Sequence, residues 1–290
     1  MDRPPALTRR DLIRLGASAA ALSPLVGLAP AAEPEPPATP ADPWRGLKVG
    51  IATYSFHKVP LEQTIRGVRQ VGVGYVSIKD AHLPLKSTAE QRKAAVKKFK
   101  DAGITPLSCG NIGMKDNETD VRNAFEYARD IGVPTIVCTP VPAVLPLLDR
   151  LVKEFDIKVA IHNHGPEDKL WPSPYTAWDA IGKLDPRIGL CIDVGHTARA
   201  GVDPSEAIRR CSARLYDLHL KDIAGPKGKT HTVEVGRGDL DIRGILASLL
   251  AVRYTGLVGL EYEKDMNDPL AGVAESIGYV RGVLSGMKAG

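Results

Sequence analysis

The regular alternation of short apolar runs with helical stretches constrains the fold of this chain more than any other feature. From Lys48 onward the sequence contains eight short runs rich in β-branched residues, and stretches with helical signals lie between them. The runs are KVGIATYSF, GYVSIKD, ITPLSC, PTIVCTP, IKVAIHN, RIGLCIDVG, RLYDLHLKD and GLVGLEYE. A strand followed by a helix, repeated in this way over roughly 250 residues, is the pattern of a (β/α)8 barrel.

An open, doubly wound sheet is the alternative α/β architecture for such a pattern. That fold normally carries a glycine-rich phosphate loop, GxGxxG, after an early strand, and the sequence contains no such motif. We therefore predict an α/β protein with a single (β/α)8 TIM barrel.

Several helix starts carry capping signals. Ser87 with Glu90 matches a capping box ahead of a helical stretch. Asn117 matches the N-cap of the next helix, and Asp203 followed by Pro204 matches an N-cap with proline at the first helical position.

The first residues resemble an export signal. Arg9 and Arg10 precede a mildly apolar stretch that ends in small residues. Adjacent arginines before a weakly hydrophobic core resemble a twin-arginine signal, and an ordinary secretory signal is the alternative. The apolar stretch is too short for a stable membrane span. We predict a signal peptide over residues 1–31, a Pro-rich linker over 32–43, the barrel over 44–290, and a periplasmic location.

The spacing of the cysteines bears on disulfide and zinc binding, and the net charge bears on the kind of partner. The four cysteines lack CxxC spacing, so we expect buried free thiols instead of a disulfide framework or a zinc knuckle. The formal net charge is +4, and several positive charges lie in the predicted signal, so no basic nucleic-acid-binding surface remains. The expected partner is a small molecule. The oligomeric state stays open, with a homo-oligomer as one alternative.

Ionisable side chains follow five of the predicted strands. In (β/α)8 barrels the C-terminal strand ends meet at one mouth, and catalytic residues lie there. These strand ends carry Lys79 with His82, His162 with His164, Asp193 with His196, His219 with Lys221, and Glu261 with Glu263. One residue of this kind is often a helix cap or a surface residue, but convergence from five strands indicates an active site.

The ordered motifs CIDVGH, LHLKD, VGRGDLD and GLEYEKD resemble those of the xylose isomerase-like superfamily of sugar phosphate isomerases and epimerases. The resemblance covers residues 47–284 and implies a TIM barrel. In the epimerase branch a divalent metal, often manganese, is held by a Glu after strand 5, an Asp after strand 6, a His after strand 7 and a Glu after strand 8. The last three correspond to Asp193, His219 and Glu261.

Strand 5 departs from the family pattern. The family commonly reads Glu-Asn-His where this chain reads His-Asn-His. His162 and His164 share one face of a strand, so the resemblance implies that His162 replaces the metal-binding glutamate and that His164 contacts substrate or supports the metal ligands. The implied ligand set is His162, Asp193, His219 and Glu261. Its imidazoles favour Mn, Fe, Co, Ni or Zn over Mg or Ca, and we expect one divalent ion, with manganese first.

The departure also changes the expected proton transfer. A metal-bound neutral imidazole is a poor base, so the symmetric two-glutamate exchange of the epimerases is broken and Glu261 becomes the expected base. Its candidate catalytic partners are Lys221, His196, Lys79 and His82. Lys221 shares a face with His219, and beside a dication we expect it to hold a substrate oxygen with a depressed pKa. A lysine that only reaches the rim is the alternative.

Further residues near the strand ends are candidates for substrate contact. Arg237 lies in a Gly-flanked loop and is an oxyanion contact or a surface arginine. Trp171 and Tyr175 are sugar-stacking or core residues. Glu263 shares a face with Glu261 and is expected to support the metal ligands. His57 is expected to be a capping residue.

The sequence leaves four candidate functions. The leading hypothesis is a metal-dependent isomerase or epimerase that removes a proton next to a carbonyl of a sugar or keto-sugar. The alternative is a 3-keto-glycoside lyase or hydratase acting by β-elimination, which export and the altered strand 5 favour. An apurinic-endonuclease relative would need further metal ligands where this chain has Asn111 and Thr139. The near-complete ligand set argues against a non-catalytic sugar-binding barrel.

Overall fold

In the computed structural model, which describes residues 42–226 and 228–287, eight parallel strands close into a barrel. Around the barrel they are β1 (Lys48–Ala52), β2 (Tyr75–Ile78), β3 (Thr105–Met114), β4 (Thr135–Pro140), β5 (Lys158–His162), β6 (Ile188–Asp193), β7 (Leu215–Leu220) and β10 (Leu257–Leu260), which pairs with β1. Two short antiparallel strands, β8 (Asp222–Ala224) and β9 (His231–Val233), lie between β7 and β10 in the chain. The predicted TIM barrel is confirmed.

Helices follow the strands along the chain. Within the described residues they are α1 (Leu61–Gln70), α2 (Ala89–Asp101), α3 (Glu118–Ile131), α4 (Leu145–Phe155), α5 (Pro174–Ile181), α6 (Val194–Arg199), α7 (Pro204–Cys211), α8 (Ile242–Ala251) and α9 (Leu270–Gly286). In α3 the buried side chains recur every three or four residues, as in a helix with one face against a core. The main core accordingly combines side chains of strands and helices.

The helix caps agree with the predicted ones, with one correction. Asn117 accepts a hydrogen bond from the backbone N–H three residues on and caps α3, and Asp203 caps α7 in a similar way. The capping box of α2 is formed by Thr88 and Gln91, with reciprocal bonds of 3.3 and 2.9 Å. Because α2 begins at Ala89, the predicted Ser87 lies one position too early.

The cysteines lie in the core. All four are free and buried: Cys109, Cys138, Cys191 and Cys211. The absence of CxxC spacing therefore predicted their state correctly.

Asp222 organises the loop that carries the VGRGDLD motif. Its buried carboxylate accepts four backbone hydrogen bonds, at Oδ1 from Ile223 and Leu240 and at Oδ2 from Gly236 and Gly238. A Cβ at Gly238 would overlap Asp222 Oδ1, which explains the glycine. The carboxylate thus holds together the loop that leads from the β8–β9 pair to α8.

The predicted export signal over residues 1–31 and most of the predicted linker over 32–43 lie outside the described residues. Trp44 packs against the main core, and the Arg281 guanidinium lies 4.9 Å from the centre of its ring. The folded domain therefore includes Trp44. Among the helices that the structure describes, none has the length and apolar character needed to cross a membrane.

Candidate metal centre and active-site cavity

A cavity of about 430 Å³ opens at the C-terminal ends of the barrel strands. Its walls include Lys79 after β2, His162 at the end of β5, His219 on β7 and Glu261 after β10. Its volume lies within the roughly 300–1,000 Å³ typical of small-molecule sites. The cavity occupies the place where catalytic residues of TIM barrels lie.

The four predicted metal ligands converge at this cavity. One donor atom from each of His162, Asp193, His219 and Glu261 lies within 4.8 Å of those of the others. His162 Nε2 is 2.8 Å from His219 Nδ1, and His219 Nδ1 is 3.2 Å from Glu261 Oε2. Asp193 Oδ2 is 3.6 Å from His162 Nε2. All four residues are buried, so their donor atoms face one another largely without solvent.

Strand register explains this convergence. Asp193 on β6 pairs with His219 on β7, and His219 pairs with Gly259 on β10. Side chains alternate along a strand, so Glu261, two residues beyond Gly259, emerges on the same face. Neighbouring strands thus present their ligands at one level of the barrel mouth.

Asp193 has two structural tasks, one for each carboxylate oxygen. Its Oδ1 accepts the backbone N–H of His196 at 2.9 Å and caps α6. Its Oδ2 is the oxygen that faces His162 and lies 3.0 Å from Lys221 Nζ. The helix cap therefore orients the carboxylate and leaves Oδ2 directed at the donor set.

Lys221 places its ammonium among three carboxylates. Nζ lies 3.0 Å from Asp193 Oδ2, 3.0 Å from Glu261 Oε2 and 3.4 Å from Glu263 Oε1. Burial acts to lower the pKa of this lysine, but Asp193, Glu261 and Glu263 together raise the pKa well above its ordinary value. The predicted depression of this pKa concerns a lysine beside a bound dication, so it stays a prediction.

Glu261 and Glu263 have pKa values shifted in opposite directions. Burial acts to raise the pKa of Glu261, but His219, Lys221 and Lys79 hold it well below its usual range. Burial raises the pKa of Glu263, and repulsion from Glu261 adds to the effect of burial against the attraction of Lys221. Two carboxyl groups with separated pKa values are the usual basis of an acid and base pair.

His162 is held in its neutral form. Burial lowers the pKa of His162 to about 3, although the nearby Asp193 carboxylate opposes this shift. A neutral imidazole is the protonation state that a metal ligand requires.

Four other predicted residues also line the cavity. Lys79 is buried, and its Nζ lies 3.5 Å from Glu261 Oε1 and 3.4 Å from His219 Nε2. The ring centres of His164 and His196 lie 4.4 and 6.1 Å from that of His162. Glu263 lies in the wall as well.

Three predicted residues lie elsewhere, which corrects the expected site roles and, for Trp171 and Arg237, supports the alternatives of a core residue and a surface arginine. The His82 Nε2 atom lies 3.0 Å from a hydroxyl of α1, and burial lowers the pKa of His82. Trp171 is buried and donates from Nε1 to the carbonyl of Pro140, so its ring cannot stack on a sugar. Arg237 forms an exposed ion pair with Glu275. None of the three lines this cavity.

The structure adds residues that the sequence reading did not assign. Tyr54 and His57 line the cavity with rings stacked 4.8 Å apart, so His57 is more than a capping residue. Their position just after β1 was an available signal. Asn111 also lines the cavity, and Asp168 contacts His164 at 3.2 Å. Asp168 lies in a loop, where no periodic pattern predicts side-chain direction.

Comparison with known proteins now assigns the family. Residues 65–283 match the family described as xylose isomerase-like TIM barrel. The chain belongs to this family. The predicted resemblance is thereby confirmed.

Two curated proteins are similar to this chain in sequence. The chain is 24% identical over 257 residues to the rhizopine catabolism protein MocC of Rhizobium meliloti, covering 72% of this chain and 76% of that protein. It is 28% identical over 138 residues to inosose dehydratase of Clostridium tetani, covering 41% of this chain and 44% of the dehydratase. The chain thus matches less than half of the dehydratase.

Two solved structures share the fold. The 3-keto-D-glucoside 4-epimerase YcjR from E. coli superposes with a TM-score of 0.66 at 15% identity, covering 81% of this chain and 99% of YcjR. The IOLI protein, solved with a zinc atom, superposes with a TM-score of 0.69 at 16% identity, covering 82% of this chain and 98% of IOLI. At these identities the likeness concerns the fold alone.

Proposed function

We propose that this protein is a divalent-metal-dependent enzyme that removes a proton next to a carbonyl group of a sugar or keto-sugar, in an isomerisation or epimerisation. The observation that carries the proposal is the convergence of four buried donors at a cavity of small-molecule size. The epimerase, dehydratase and isomerase names among proteins of this fold support an enzyme of this kind.

The donor set fits a divalent transition metal. Its imidazole at His162 is neutral, its carboxylates at Asp193 and Glu261 have lowered pKa values, and Asp193 Oδ2 is directed at the other donors. His162, Asp193, His219 and Glu261 would hold the ion. When bound, such an ion polarises a carbonyl oxygen and stabilises the negative charge of an enolate. We propose manganese, and zinc is the alternative because IOLI was solved with zinc.

Glu261 is the proposed base. Its carboxylate lies in the cavity wall, and its low pKa keeps it ionised at neutral pH. A carboxylate of low pKa is a weak base, so it can remove only a proton that a neighbouring carbonyl has made acidic. This requirement favours a keto-sugar as substrate. Lys79, 3.5 Å from Glu261 Oε1, can donate a hydrogen bond to a substrate oxygen beside the reacting carbon.

The charge of the cavity wall favours an uncharged sugar over a sugar phosphate. Among the described residues that line the cavity, Lys79 is the one lysine or arginine, and it already faces Glu261. A phosphate group would be expected to meet several cationic groups. An uncharged glycoside also agrees with the proposed export to the periplasm.

Elimination from a 3-keto-glycoside is the second candidate function, and the Glu261 and Glu263 pair favours it. Glu263 has a raised pKa and lines the cavity, so it can hold a proton and donate it to a leaving oxygen after Glu261 has removed the α-proton. Here one glutamate acts as the base and the other as the acid. This agrees with the replacement of the family's second glutamate base by His162.

Solvent deuterium exchange tests the proposal. Natively expressed protein is first analysed for bound metal and then incubated in D2O with a panel of sugars and 3-keto-glycosides, with products followed by NMR. We expect deuterium at one carbon next to the carbonyl. An epimeric product supports epimerisation, and release of the aglycone supports elimination.

Matched variants identify the base. Glu261→Gln should abolish exchange, and Glu275→Gln should leave it unchanged because Glu275 lies on the surface against Arg237. Exchange that survives in Glu261→Gln, or absence of exchange with every panel member in metal-loaded protein, would contradict the proposed function.

A further inference from the structure

Glu263 lies in the cavity wall, but the backbone on which it stands has few anchors. Glu261 follows β10 and donates its backbone N–H to a carbonyl of β7 at 2.8 Å, and Tyr262 donates its N–H to the hydroxyl of Ser55 at 2.9 Å. Beyond them, among the residues that the structure describes, no hydrogen bond joins the backbone of Glu263 or of Lys264. Side chains must therefore hold Glu263 in place.

The two side chains that flank Glu263 in the chain both end on one carboxylate, that of Glu234. The Tyr262 hydroxyl donates to Glu234 Oε1 at 3.1 Å, and Lys264 Nζ lies 3.0 Å from Oε1 and 2.8 Å from Oε2. Burial acts to raise the pKa of Glu234, but Lys264 and Tyr262 lower it below its ordinary value. The carboxylate is thus ionised at neutral pH and accepts from both neighbours of Glu263.

Glu234 stands on a rigid base. It is buried, and the residue after it donates its backbone N–H to a serine hydroxyl of α9 at 3.0 Å. The N–H of Gly236 donates to the Asp222 carboxylate at 2.9 Å. The ring of Tyr262 packs on α9 so closely that a Cβ at Gly272 would lie 2.2 Å from it. The loop and α9 therefore fix both ends of the contact between Tyr262 and Glu234.

We propose that Glu234 is a positioning residue of the active site, which holds Glu263 in the cavity wall by binding the side chains on either side of it. Glu263 Oε1 then stays 3.4 Å from Lys221 Nζ in spite of the repulsion from Glu261. The inference rests on the proposed function in one respect, which is that Glu263 acts on the substrate. It gives the VGRGDLD motif, which begins one residue after Glu234, a role in the site.

Backbone 15N relaxation of the metal-free protein tests the positioning without any turnover. We expect order parameters of about 0.85 at the N–H groups of Glu263 and Lys264 in the wild type, and below about 0.6 in Glu234→Ala. Tyr262→Phe, which removes one hydroxyl, should give values in between, and it replaces Glu234→Ala if that variant does not fold. Glu275→Gln, which removes an exposed ion pair from the same loop, should change nothing. Low values in the wild type, or wild-type values in Glu234→Ala and Tyr262→Phe, would overturn the inference.

Kinetics of the reaction found in the exchange assay test the consequence. We expect Glu234→Ala to lower kcat at least about tenfold with KM within about twofold of the wild type, and Glu234→Gln, which keeps an acceptor oxygen, to recover part of the loss. Because Glu234 acts through Glu263, Glu234→Ala combined with Glu263→Gln should be no slower than Glu263→Gln alone. Additive losses, or a Glu263→Gln as fast as the wild type, would refute the role of Glu234 in the reaction. Absence of exchange with every sugar contradicts the proposed function, whereas the order parameters still decide whether Glu234 holds Glu263.

Discussion

Replacing Lys221 by methionine should change the stability of the metal-free protein and that of the metal-loaded protein by different amounts. The ammonium lies 3.0 Å from one oxygen of Asp193 and 3.0 Å from one oxygen of Glu261, and all three side chains are buried. Methionine keeps most of the apolar volume and removes the charge. In the metal-free protein the two carboxylates then face each other without this counter-charge.

The magnitude follows from the burial of these groups. Removing one partner of a buried ion pair costs about 3–5 kcal/mol, because the other charge is left uncompensated. We expect the free energy of unfolding of metal-free Lys221→Met to fall by this amount. A divalent ion restores the missing positive charge, and at about 1,000 times its Kd it adds about 4 kcal/mol of stability. Because the ion stabilises the wild type as well, the loss should shrink in the loaded protein by the amount that corresponds to the tighter binding of the ion, about 1.4 kcal/mol for each tenfold.

Metal affinity should change in the opposite direction. A positive charge 3.0 Å from two ligand oxygens repels an incoming cation, so its removal should tighten metal binding by at least about tenfold. Guanidinium denaturation with chelator or with Mn²⁺, together with calorimetric titration of the metal, measures both effects. Lys97→Met is the control, because Lys97 pairs with Asp101 on the exposed face of α2 and should change neither quantity. A metal-free Lys221→Met within about 1 kcal/mol of the wild type, with unchanged affinity, would refute this account.

Four further predictions follow from the same structure. His162→Glu should retain metal, shift the preference towards Mn or Mg and lower activity, measured by competitive metal binding and deuterium exchange; loss of metal or unchanged activity would mean that His162 is not the ligand. Because the pKa of His162 is about 3 in the folded protein and about 6.5 in the unfolded chain, the unfolded chain binds more protons between these values. The free energy of unfolding of the metal-free protein should thus fall as the pH falls through this window, by up to about 1.4 kcal/mol per pH unit for this group, and His162→Gln should reduce the slope measured by denaturant melts at pH 4 to 7. Asp222→Ala should cost about 3 kcal/mol and increase hydrogen exchange in residues 236–240, because four backbone donors lose their acceptor; unchanged exchange there would contradict the role of Asp222. Mass spectrometry of protein recovered from the periplasm should show a mature N-terminus near residue 32, and an intact N-terminus would contradict the proposed export signal.

Several features of this protein were accessible from the sequence because they depend on local periodicity. Short segments show the periodicity of a strand or of a helix, and the alternation of the two kinds of segment predicted the barrel. Once the fold is a TIM barrel, every residue at a strand end is assigned to the same mouth. The strand ends placed His162, Asp193, His219 and Glu261 at this mouth, and the resemblance to the family implied that they bind a metal.

Loop residues were not accessible in this way. His82 and Lys79 lie within one short segment, yet His82 turns towards α1 and Lys79 towards His219. Trp171 and Asp168 belong to one loop, and the loop folds so that Trp171 is buried and Asp168 meets His164. No period describes such segments, because each conformation is set by its own hydrogen bonds, such as that of His82 to Thr64 and that of Trp171 to Pro140.

The sequence by itself determined the barrel and the set of residues at its mouth, because each strand carries its own pattern and all the strands end at one edge. Only the tertiary structure decided which of those residues meet, and with what charge. The pKa of Lys221 is the clearest case, since it depends on carboxylates from β6 and from the segment after β10, brought to within 3.4 Å of its Nζ by closure of the barrel. Electrostatic interactions depend on distance in space, and distances between strands exist only once the barrel has closed.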